Sequence, residues 1–145
     1  MNRRTLRGQF PEGENRRLIV DDGRLNHGYK VVGFYVAGDG ALSAGNDVVA
    51  TLSLDYDAPF TWNWGDNRQI GWASNNIDSL SGHSAPFSVL DPDHVVIMDM
   101  YIQGQTGSAG GTGVVNYLIE LEPVELSNDQ AILSLIKERS QDDLR

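Results

Sequence analysis

Residues 47–56 read "DVVATLSLDY", and their alternation decides the fold. Val48, Ala50, Leu52, Leu54 and Tyr56 fall on one side of an extended chain, while Val49, Thr51, Ser53 and Asp55 fall on the other. Successive side chains of a strand point to opposite faces, so this period of two predicts a half-buried β-strand. The pattern recurs downstream. In "DHVVIMDMYIQG" (93–104), Val96, Met98, Met100 and Ile102 point one way, and Val95, Ile97, Asp99 and Tyr101 the other. In "VVNYLIELEPVEL" (114–126), Val115, Tyr117, Ile119 and Leu121 read as inward, and Asn116, Glu120 and Glu122 as outward.

Shorter strands fill the gaps. "RLIVDDGRL" (17–25) reads as a strand running into a turn at Asp22-Gly23. "GYKVVGFYVAG" (28–38) is apolar on both faces, which predicts a central strand. "RQIGWAS" (68–74) and "FSVLD" (87–91) add two more, the latter ended by Pro92. Glycine-rich and polar segments at 38–46, 75–86 and 105–113 supply the turns. The predicted core is Val48, Leu52, Leu54, Met98, Met100, Tyr117 and Ile119.

One helix is predicted, from about Asn128 to Ser140. Ser127 and Gln130 have capping-box spacing, Asp129 suits the first turn, and Lys137 and Arg139 suit the last. Ile132, Leu135, Ile136 and Arg139 share a face, to be docked on the chain's own sheet or on a neighbouring subunit. The fold class expected is therefore mainly all-β: a single β-sandwich or jelly roll of seven or eight strands with one C-terminal helix. Residues 1–16 read as a basic extended N-terminal arm, 17–126 as the β-sandwich domain, and 127–145 as the helix and tail.

The net charge of −9 conceals an asymmetry. Residues 1–30 carry a net +3 and residues 31–136 a net −12. The acidic body repels nucleic acid and anionic membranes, which leaves the arm as the one place for a weak genome contact. Opposite signs within one chain also suit contact between identical subunits, with Arg3, Arg4, Arg7, Arg16 and Arg17 lying on a neighbour's acidic surface. With no cysteine, disulfides and thiolate chemistry are excluded. No apolar run reaches the roughly 18–20 residues of a membrane span. The first residues do not read as a secretory signal, since no apolar stretch follows the basic ones.

The segment richest in potential chemistry is "DYDAPFTWNWGDNRQIGWASNN" (55–76), which holds Trp62, Trp64 and Trp72, all the tryptophans of the chain. Two readings stand. The tryptophans and Arg68 close a corner of the core or bury at a subunit contact, where such residues are enriched. Alternatively, Trp62, Trp64 and Trp72 stack on a sugar while Asp55, Asp57 and Asp66 bond its hydroxyls. If the segment is extended, Trp62 and Trp64 lie on the same side. "DPDH" (91–94) and "DYD" (55–57) resemble pieces of metal sites, but neither has the calcium-loop pattern, and Asp-Pro-Asp before a strand suits a turn. His27, His83 and His94 have no paired-ligand spacing. "GSAGGTG" (107–113) does not continue into a phosphate loop. No cofactor and no catalytic residue are assigned.

Three stretches taken together carry a resemblance: "VDDGRLNHGYKV" (20–31), "DNRQIGWAS" with "LDPDHVV" (66–74 and 90–96), and "ELSNDQAILSLIKERSQDD" (125–143). They resemble short virion structural proteins encoded by uncultured marine phages, over most of the chain from Arg17 onward. The resemblance implies a non-enzymatic capsid-type role in the virion, as shell subunit, minor capsid protein or decoration protein. The implied partners are other copies of the chain and other virion proteins.

Overall fold

The computed structural model describes residues 3–21, 23, 26–38, 46–54, 56, 61–77, 85–91, 93–107 and 113–140. The chain is mainly β, with two antiparallel sheets and a helix. The first sheet is ordered β1 (Arg4–Pro11), β8 (Val114–Glu125), β3 (His27–Gly38). The second is ordered β2 (Asn15–Ile19), β7 (Asp99–Thr106), β4 (Asn46–Ser53), β5 (Gln69–Ile77), β6 (Phe87–Leu90). The pairing is nested: β1 with β8, β2 with β7, β4 with β5. β3 flanks β8 and packs across onto β4, β5 and β6.

Alternation explains which faces meet. Val48, Ala50 and Leu52 of β4 share a face with Met100 and Ile102 of the adjacent β7, and all lie in one buried cluster with Phe34, Val36, Val115, Ile119 and Leu121 of the first sheet. Burying each such side chain contributes about 1.5–3 kcal/mol. Of the expected core, Val48, Leu52, Leu54, Met100 and Ile119 belong to this cluster, and Tyr117 packs against it. Met98 does not. It is half-buried just before β7, where its carbonyl accepts from the Val20 and Asp21 amides at 3.0 Å each. The ladder with β2 begins only at Asp99, so the strand read from residue 93 is shorter than its pattern, with a lone Tyr29–Val96 bridge upstream. Tyr56, expected on the inward face, is 58% exposed, since β4 ends at Ser53.

The N-terminal segment is not a free arm. Residues 4–11 form β1, and β2 begins at Asn15, so the boundary drawn at residue 16 cuts through the sheets. The reason is a short alternation between the arginines. Leu6 lies opposite Ile119 and Phe10 opposite Val115, both facing the core. Gly8 lets β1 pass beneath the Tyr117 ring, where a Cβ would sit 2.7 Å from the hydroxyl oxygen. Between β1 and β2 the chain crosses from one sheet to the other through Glu12 and Gly13. Gly13 has φ +81°, a left-handed conformation that glycine adopts without strain. The Gly13 amide donates to the Gly104 carbonyl, and the Glu12 amide to the Gly113 carbonyl, at 3.0 Å each. The Glu12 carboxylate accepts from the Thr106 hydroxyl at 2.7 Å and the Thr106 amide at 2.9 Å. These bonds hold the Glu12 carboxyl below its ordinary pKa.

β3 is an edge rather than a central strand, because β8 takes the middle of its sheet. Its outward residue Tyr35 is 49% exposed. The helix α1 spans Asn128–Ser140, as expected. Its capping box closes in both directions: the Gln130 amide donates to Ser127 Oγ at 3.2 Å, and the Ser127 amide donates to Gln130 Oε1 at 3.1 Å. Only part of the apolar stripe is covered, Leu135 being half-buried. Ala131 is buried, but Ile132, Leu133 and Ile136 are exposed. No helix among the described residues is long and apolar enough to cross a membrane.

Candidate functional site

The register shows where the tryptophan-rich stretch sits. Partners across an antiparallel ladder point to the same face. Leu52 pairs with Gly71 and Ala50 with Ala73 on the core face, so Thr51 and its partner Trp72 point outward. Trp72 is buried to 7% exposure yet stands outside the core cluster. The segment 61–68 folds back over the outer face of the second sheet around Trp72 and Gln69, while Val49 and Ile19 on the same face stay exposed.

The loop is tied to itself and to the sheet. Gln69 pairs with Ser53 and is buried. Its Oε1 accepts from Trp72 Nε1 at 2.8 Å and from the Asn63 amide at 2.9 Å, while its Nε2 donates to the Thr61 carbonyl at 3.1 Å. Asn63 Oδ1 accepts from the Gly65 amide at 3.0 Å, and the Asn63 carbonyl accepts from the Asp66 amide at 3.0 Å. Arg68 grips Asp66 with two nitrogens, Nε on Oδ1 at 2.8 Å and Nη2 on Oδ2 at 2.9 Å. That fork is the main reason the Asp66 carboxyl lies below its ordinary pKa, against an opposing contribution from burial.

The three tryptophans have three different roles. Trp62 stacks on Phe87 (centroids 5.7 Å apart, planes at 22°), and its Nε1 donates to the Ala50 carbonyl at 3.3 Å. Trp72 is the buried floor. Trp64 leans on Trp72 at 5.9 Å and 59° and is 64% exposed. A third ring pair, Tyr56 edge-on to Tyr101 at 5.6 Å, lies over the Ser53 end of β4. Beneath the loop, Thr51, Ser53, Gln69 and Gln103 are buried polar residues. An extended segment would put Trp62 and Trp64 side by side, but residues 61–68 are turns. The signal was present in the turn formers Asn63, Gly65, Asp66 and Asn67. Phe87 and Gln69, which the sequence reading missed, had no local signal: their roles depend on strand register. Asp55 and Asp57 lie outside the described residues.

The arginines expected on a neighbour's surface mostly find partners within the chain. Arg17 meets Asp99 at 2.7 Å, Arg16 meets Glu14 at 2.8 Å, and Arg3 meets Glu120 at 3.8 Å. Arg4 lies over the Tyr29 ring and donates to the Val20 carbonyl at 3.4 Å. Arg16 also lies over the Phe10 ring. Arg7 has no carboxylate partner among the described residues. In "DPDH", the Asp91 side chain accepts from the Asp93 amide at 3.0 Å, a turn-closing bond. Among the described residues, no three His, Asp or Glu side chains converge to hold a metal.

No family model matches this chain, and neither a curated protein nor a solved structure shows significant similarity to it.

Proposed function

We propose that this chain is a non-enzymatic structural subunit of a virus particle: a single jelly-roll β-sandwich that assembles through contacts with its own copies and other virion proteins, as shell, minor capsid or decoration protein. The observation that carries this reading is the nested strand pairing. β1 pairs with β8, β2 with β7 and β4 with β5, and β3 packs across from β6, an order that supports a long hairpin rolled into two sheets, the jelly-roll plan that capsid domains use. β6 departs from the ideal plan, because it extends the second sheet beside β5 instead of joining β3. Two packed sheets make a stiff wedge, and surface features at its rim are free for lateral contacts. The exposed Ile132, Leu133 and Ile136 of α1 supply apolar area of the kind that marks interaction sites. Arg7, on the outward face of β1, leaves the basic N-terminal strand as the surface for a weak genome contact.

The test is sedimentation velocity with negative-stain imaging across protein concentration and salt. A defined oligomer that grows into rings or closed particles supports the reading. A species that remains monomeric under every condition overturns it.

A further inference from the structure

Trp64 is the most exposed aromatic ring among the described residues, and it is held that way. A free loop would turn an indole inward, since burial of apolar area is favourable by about 25 cal/mol per Å². Here the loop is closed by the Asn63 and Asp66–Arg68 bonds and anchored below by Gln69, so Trp64 stays presented on a rigid base. Its tilted contact with Trp72 uses little of the ring, and the rest faces water. Asn63 and Asn67, both exposed, lie on the same loop on either side of Trp64 in the chain; each carries a planar amide with donor and acceptor atoms, and Asn63 Oδ1 already accepts from the Gly65 amide.

We propose that Trp64, Asn63 and Asn67 form a binding site for a neutral hexopyranose, such as the end of a surface glycan. The C–H face of the ring would stack on the indole while adjacent hydroxyls bond the two amides. An apolar platform with a few fixed polar groups is the usual construction of a small-molecule site. The charge selects the sugar class: residues 31–136 carry a net −12, and although Asp66 beside the platform is neutralised by Arg68, the acidic body around it repels acidic sugars. Trp62 and Trp72 are excluded from direct contact, the first by its stack on Phe87 and the second by burial. The site does not depend on assembly, so a monomer that binds sugar, or an assembling chain that does not, separates this proposal from the preceding one.

The experiment titrates the full-length chain with the methyl pyranosides of glucose, galactose, mannose and N-acetylglucosamine, and with N-acetylneuraminic acid as the anionic comparison, read by tryptophan fluorescence and ligand-observed NMR. At least one neutral pyranoside is expected to bind with a Kd on the order of 1 mM. Trp64→Ala is expected to weaken it by ~10-fold or more, with an unchanged far-UV spectrum. Asn67→Ala, which leaves the platform intact, weakens it less, and Trp62→Phe leaves it unchanged. The proposal is overturned if no neutral sugar binds at ~50 mM, if Trp64→Ala binds as well as the parent, or if the acidic sugar binds as tightly. It is also overturned if Trp64→Ala instead lowers the sedimentation coefficient, which makes Trp64 a subunit contact.

Discussion

The outer faces of the two sheets obey the same alternation and end in opposite states. On the first sheet, outward residues such as Gln9 and Asn116 bond each other at 3.0 Å in water, Arg3 meets Glu120, and Tyr35 is half exposed. On the second, the outward residues Thr51, Ser53, Gln103 and Trp72 are buried, with the 61–68 loop bonded over Gln69 and Trp72, while Val49 and Ile19 farther along the same face are exposed. One face is finished by solvent, and the other carries an aromatic layer over part of its area. Polarity in the sequence therefore marks the outward face of both sheets, but it does not tell whether that face is wet.

The largest effects break what the two sheets share. Phe34→Ala or Ile119→Ala should cost about 3–5 kcal/mol in urea unfolding, since each leaves a cavity between the sheets. Gln69→Ala comes next, at about 2–3 kcal/mol, because it strands the Asn63 amide and the Trp72 indole N–H beneath the loop. It should also shift the tryptophan emission, while the far-UV spectrum stays that of a β-protein. A loss under 0.5 kcal/mol would mean the loop is not a structural layer.

Acid sharpens the contrast between a bonded carboxylate and a bare one. The Glu12 and Asp66 carboxyls have folded pKa values below their unfolded ones, so their stabilisation is complete above about pH 4.5 and is lost as the pH falls through the folded values. Glu12→Gln and Asp66→Asn should each flatten the fall of melting temperature between about pH 4.5 and pH 2, relative to the parent chain. Unchanged acid profiles in both variants would remove these two groups from the linkage. The smallest effect belongs to the wet face: Gln9→Ala should change stability by less than about 0.5 kcal/mol, as exposed polar substitutions do.

The helix and the inward faces were legible because their causes are local. A capping box needs residues three apart, and a strand shows its faces within a few positions, so Ser127 with Gln130 and Val48 with Leu52 could be read directly. The N-terminal segment misled because four arginines among residues 3–16 outweighed the two inward residues Leu6 and Phe10. The aromatic stretch was open to an extended reading, but its turn formers fold it into a loop. Its floor, Trp72, resembles Trp64 in sequence, but the ladder with β4 places Trp72 beneath the loop, while Trp64 stays in the loop and exposed.

By itself the sequence determined a mainly β chain, its inward strand faces and its capped helix, since these follow from backbone periodicity over a few residues. Only the tertiary structure decided that β1 closes onto β8, that β3 is an edge, and that the 61–68 loop covers part of one outer face. Those outcomes depend on pairing residues as far apart as Gln9 and Asn116. Such pairing follows from which strands can close the core together, a constraint that no short window of sequence contains.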